Sequence, residues 1–136
     1  MVLIGDITQT DESVQLPSPK VVRFTRDTSL ATGTQAVSGV GFRPSAIIFI
    51  KVKSPSTGTY SVGFDDLVTP DSVFDTHNVV ADSWEQSFSF SLVDHQGSSI
   101  VYNGLVQSFD ADGFTISWAR VGATTGITFV KALCFK

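Results

Sequence analysis

An all-β fold, a single-domain antiparallel sandwich, is what this sequence predicts, and three observations predict it. Apolar and polar residues alternate with period two almost from end to end, helix formers are scarce, and turn residues recur at regular intervals. Strand side chains point alternately to opposite faces, so this alternation describes strands with one dry and one wet face. Glu occurs only at Glu12 and Glu85, and no window holds apolar residues at i, i+3, i+4 and i+7 for three turns. At 136 residues the chain has the size of one domain with its own core.

The first 19 residues stand apart as an N-terminal arm or first strand, with residues 20–136 forming the sandwich. Val2, Leu3, Ile4 and Ile7 are apolar, Thr8 to Ser13 is polar and acidic, and Pro17-Ser18-Pro19 favours an extended entry into the strand at Lys20. Lys20 to Arg26 is a strand with Val22 and Phe24 on one face, and Thr34 to Val40 is the next. The turn Gly41-Phe42-Arg43-Pro44 leads into Ser45 to Lys53, the most apolar run, which reads as a central strand covered on both sides at its start. Ser54 to Gly58 is a turn by composition, and Tyr60, Val62 and Phe64 alternate with Ser61 and Gly63 in the returning strand of a hairpin.

Asp65 to Asp82 reads as the longest irregular connection. Trp84 to Asp94 reads as one strand, because Ser87-Phe88-Ser89-Phe90-Ser91-Leu92 is the clearest alternation in the chain. Asp94 to Gly97 reads as a turn, Ser98 to Tyr102 and Leu105 to Phe109 as strands, and Asp110-Ala111-Asp112-Gly113 as a tight turn. Phe114, Ile116 and Trp118 then alternate with Thr115, Ser117 and Ala119. After the turn Gly122 to Gly126, Ile127 to Phe135 closes the chain with Ile127, Phe129, Leu133 and Phe135 on one face. Short strands at this spacing point to a jelly-roll-like sandwich ahead of an immunoglobulin-like one, which no Cys…Trp…Cys spacing supports.

Composition bounds the function. Charged residues reach only 16%, against roughly 25% for an average domain, so part of the uncharged surface either faces a partner or is solubilised by Ser and Thr. A net charge of −4 argues against nucleic acid, which would select a basic stripe, and no apolar run approaches the roughly 20 residues of a membrane span. The N-terminus lacks the pattern of a signal peptide, which predicts synthesis in the cytoplasm of the producing cell. Cys134, the single cysteine, sits in an apolar strand and reads as an inert, packed thiol without disulfide or thiolate–metal partners.

No constellation predicts catalysis, a metal or a cofactor. His77 and His95 lie beside Asp75 and Asp94 in stretches that read as surface loops, without a nucleophile elbow. Asp110 to Gly113 opens like a calcium loop, but position 12 is Val121, so a hairpin turn is the reading. Asp65, Asp66, Asp71 and Asp75 read as solvated acids in preference to a cation site. Trp84, Trp118, Tyr60 and Tyr102 are candidates for a sugar-stacking platform, but Trp118 continues a core face, which leaves Trp84 as the candidate exposed aromatic.

Two stretches carry a resemblance. Gly33-Thr34-Gln35-Ala36-Val37-Ser38-Gly39-Val40-Gly41-Phe42-Arg43-Pro44-Ser45-Ala46-Ile47-Ile48-Phe49 and Ser108-Phe109-Asp110-Ala111-Asp112-Gly113-Phe114-Thr115-Ile116-Ser117-Trp118 resemble turn and strand motifs of small all-β structural proteins of tailed-phage virions. The resemblance implies a capsid decoration (cement) protein. Such a protein binds the major capsid protein on the outside of the assembled head as a homotrimer, without nucleic acid, membrane or cofactor, and is located on the virion. Val2, Leu3, Ile4 and Ile7 would then be arm contacts to a neighbouring subunit. The alternative is a tail or fibre module that binds a receptor or glycan through exposed aromatics.

Overall fold

The computed structural model describes residues 18–55, 60–77, 82–96 and 99–136. These residues hold ten strands and no helix: β1 (Lys20–Asp27), β2 (Gly33–Ser38), β3 (Ala46–Ser54), β4 (Tyr60–Asp65), β5 (Asp71–His77), β6 (Asp82–Ser87), β7 (Leu92–Gln96), β8 (Ser99–Asp110), β9 (Gly113–Arg120) and β10 (Ile127–Phe135). They form two antiparallel sheets packed face to face. One has six strands in the order β1-β10-β3-β4-β5-β6, the other four in the order β2-β9-β8-β7.

The all-β sandwich is therefore the architecture. At the chain ends the strands alternate between sheets: β1 and β3 flank β10 in one layer while β2 borders β9 in the other. Further in, β3 to β6 and β7 to β9 are simple meanders, each strand pairing with its sequence neighbour. The core between the layers is built from Ile47 and Phe49 of β3, Phe114, Ile116 and Trp118 of β9, and Val130, Ala132 and Cys134 of β10. Phe114 meets Phe24 and Phe49 edge-on, with ring centroids 5.9 and 5.7 Å away, the arrangement that aromatic quadrupoles favour.

The two stretches that carry the resemblance meet in space. The Asp112 carboxylate accepts hydrogen bonds from the backbone N–H groups of Gly39 (3.1 Å) and Gly41 (2.5 Å), and the Asp112 carbonyl accepts one from Val40 (3.2 Å). Gly39 and Gly41 take φ of 89° and 86°, a region that L side chains rarely adopt, which explains glycine at both places. Asp112 thus does structural work, holding the β2–β3 connection against the β8–β9 hairpin.

Three expectations are corrected. The run Ser87 to Leu92 is not one strand: β6 ends at Ser87, and Phe88 to Ser91 carries the chain from one sheet to the other. Serine hydroxyls there serve local and interlayer contacts, Ser87 accepting from the Ser89 N–H and Ser91 donating to Asp65. Asp65 to Asp82 is not irregular, because β5 lies within it. The Asp66 carboxylate accepts from the N–H groups of Val68 (2.9 Å) and Thr69 (2.6 Å), forming the turn that returns β4 as β5. Finally, His95 is not on a surface loop. It is a buried β7 residue against Phe74, with ring centroids 5.5 Å apart.

Candidate functional site

β4 packs the opposite way round from an ordinary amphipathic strand. Its inward residues are Ser61, Gly63 and Asp65, all buried, while Tyr60, Val62 and Phe64 point away from the core and are exposed. The reason is local crowding. A Cβ on Gly63 would come within 1.6 Å of the Ser91 carbonyl oxygen, so the Phe88–Ser91 crossing lies directly against the β4 backbone and leaves room for nothing larger. Period two then sends the bulky residues outward.

The neighbouring strands extend this outward face. Register places Val21, Leu133, Ile48 and Phe64 side by side across β1, β10, β3 and β4. The next row reads Arg23, Lys131, Ile50, Val62 and Val73, and the third reads Thr25, Phe129, Val52 and Tyr60. Ile50 is 54% exposed, Val52 50% and Phe129 47%. Free monomers rarely expose contiguous apolar patches larger than roughly a few hundred Å². Covering one of these half-buried side chains is worth about half of the roughly 1.5–3 kcal/mol that full burial gives. Two shallow depressions dent it. One, of about 500 Å³, is lined by Arg23, Ile50, Val52, Phe129 and Lys131, and the other, of about 410 Å³, by Ile48, Phe64, Asp71 and Val73.

Charge is distributed unevenly over the face. Arg23 and Lys131 stand directly opposite one another on β1 and β10, a like-charge pairing that disfavours the sheet unless something negative approaches. Asp71 stands toward the other side, beside Phe64; it is half-buried, and its Oδ1 is shielded from solvent without a hydrogen-bond partner.

The interior supplies the other chemically notable group. Lys51 (β3) is 1% exposed and reaches across the sandwich to Asp94 (β7), which is 2% exposed; its ammonium also donates to the Val93 carbonyl at 2.6 Å. Lys53 approaches the second Asp94 oxygen at 3.3 Å and donates to Thr124. Burial pushes Lys51 below its ordinary 10.5, while Asp94 pulls it back up. Two lysines sharing one carboxylate tie the layers together at this end. The arrangement binds sheet to sheet, with the Thr128 hydroxyl donating to Asp94 at 3.5 Å; among the described residues no His, Cys, Asp and Glu form a group of three placed to hold a metal.

The other predicted site residues are dispersed. Trp118 and Tyr102 are buried and stacked at 5.4 Å, and Arg26 donates to the Tyr102 hydroxyl at 2.8 Å, so neither ring serves a sugar platform. Tyr60 belongs to the apolar face. Trp84 lies on β6, but its side chain is outside the described residues, as are Val2, Leu3, Ile4 and Ile7. Asp65 is buried and bonded to Ser91 and the Leu67 N–H, and Asp66 forms its turn, so neither is an open ligand. Sequence reasoning missed the outer face because alternation does not say which side is inside. The signal present was β3, whose Ile47, Phe49 and Ile48, Ile50 make both faces apolar.

Searches of family models, curated proteins and solved structures find no match to the chain.

Proposed function

We propose that this chain is a structural protein of a phage virion, a capsid decoration protein that sits as a trimer on the outside of the assembled head and stabilises it. The observation that carries this reading is the outer face of the six-stranded sheet, where bulky residues point away from the core and small or polar ones toward it. A strand built this way is consistent with a protein whose working state is an assembly. The low charge content and the resemblance of the Gly33–Phe49 and Ser108–Trp118 stretches to virion proteins agree with it.

The mechanism is mechanical. A protein that binds only the assembled lattice stabilises it by mass action, and several linked contacts raise avidity without strengthening any one of them. The N-terminal segment, with Val2, Leu3, Ile4 and Ile7, acts as the clasp to the coat or a neighbouring subunit by adding a strand to an exposed edge. Co-sedimentation with heads of the parent phage tests this. The full chain pellets with assembled shells and not with free coat subunits, and a chain lacking residues 1–13 stays in the supernatant while keeping its fold. No pelleting of the full chain, together with hits on a glycan array, would replace this reading with the receptor-binding one.

A further inference from the structure

We infer that the outer face of the six-stranded sheet is the contact between copies of this chain, with the Arg23–Lys131 side of one copy set against the Asp71 side of the next. The inference deepens the assembly part of the proposed function and rests on it, but it concerns the isolated protein and needs no shell.

Three observations select a second copy as the occupant. The first is the inversion of β4, whose Tyr60, Val62 and Phe64 face outward over Ser61, Gly63 and Asp65. A chain that places its larger apolar groups outside has them covered whenever it is in its working state, which fits a permanent partner better than an occasional one. The second is charge. Arg23 and Lys131 lie at one side of the face, and neither has an ion pair among the described residues. Asp71 lies at the other side, three strands away from β10; it is half-buried, and its unpartnered Oδ1 is shielded from solvent beneath the face. The face therefore carries its own complement. Laying β1 of one copy over β1 of another would bring four cations together, whereas laying it toward β5 joins opposite charges around an apolar centre at Ile50 and Val62. The third is the pair of depressions, one beside each charge, with Phe129 and Phe64 as the bulky groups nearest them. A closed ring or a two-fold pair both satisfy this matching.

Light scattering after size exclusion, on the full chain without any other protein, reads the result. Wild type elutes at twice 14.6 kDa or a higher whole-number multiple of it. Ile50→Asp, at the apolar centre, elutes at the single-chain mass. Arg23→Asp weakens self-association about tenfold or more, and adding Asp71→Arg to it restores the wild-type mass. Arg23 is exposed and guards against a folding defect, Asp71 is half-buried, and each variant is checked for an unchanged far-ultraviolet spectrum and cooperative melt. A single-chain mass for wild type at about 100 μM, well above the micromolar affinities usual for specific pairs, overturns the inference. So does a double variant that associates no better than Arg23→Asp. Either result leaves shell binding, measured separately, standing or falling by itself.

Discussion

Across β4, β3 and β10 the outward rows read Val62, Ile50, Lys131 and Tyr60, Val52, Phe129; across β2, β9 and β8 they read Thr34, Ser117, Leu105 and Ala36, Thr115, Ser108. Both sets of rows come from antiparallel strands with period-two alternation, and the two sheets share one core. The difference lies in what each sheet leaves outside. The four-stranded layer sends Val37, Ile116 and Trp118 inward and shows water small hydroxyls and methyls around a half-buried Leu105, the ordinary division for a half-solvated sheet. The six-stranded layer is apolar on both sides, and at β4 more so outside than inside. The lesson is that a sheet's position in the sandwich does not determine which of its faces is designed for water. The side-chain size tolerated at each inner position does, and Gly63 under the Ser91 carbonyl is where that limit is tightest.

The largest way to break the contrast is to release the lock that makes one face of β3 an inner face. Asp94→Ala leaves Lys51 and Lys53 without their shared carboxylate in a buried site and lowers unfolding free energy by about 3–5 kcal/mol, as uncompensated buried charges do. Lys51→Met costs clearly less, because Asp94 keeps Lys53 and the methionine fills the same space. Urea denaturation of both variants checks the order, and equal losses would mean that the seam does not hold the layers by charge.

A smaller effect tests how dry the inner side of β10 is, a short way along the strand from the exposed Phe129. Burial raises the Cys134 thiol from its ordinary 9.0 to about 11. A raised folded-state value contributes stability that is whole below pH 9 and is lost as pH climbs through 11, because the unfolded chain ionises first. Wild type measured against Cys134→Ala isolates it from the opposite trend of Lys51, whose lowered value makes the fold gain as pH rises toward 10.5. The difference in stability between the two proteins shifts against wild type between pH 9 and 11; a constant difference would mean that water reaches the thiol.

The smallest expected effect sharpens the contrast from the other side. Ser117→Lys, central on the four-stranded layer's outer surface, changes stability by no more than about 0.5 kcal/mol and leaves the elution mass as in wild type. A change in mass there would show that both layers take part in assembly.

Sequence alone determined the strand content, the two-layer architecture and most of the hairpins, because alternation and turn chemistry are local. The strands read at Thr34 to Val40 and Ser45 to Lys53 lie within two residues of β2 and β3, and the Asp110–Gly113 turn, the last two strands and Trp118 as core are legible as well. Where it misled, a nonlocal demand won. The alternating serines and phenylalanines from Ser87 to Leu92 look like the best strand in the chain, yet they must change layers, and the Asp71–His77 strand exists only because β4 and β6 pair with it on both sides. The orientation of β4, the burial of Lys51, Asp94 and His95, and the opposition of Arg23 to Lys131 were decided by the tertiary structure. Which face of an alternating strand turns inward depends on how closely another segment of backbone approaches it, and that distance is set by residues far away in the chain.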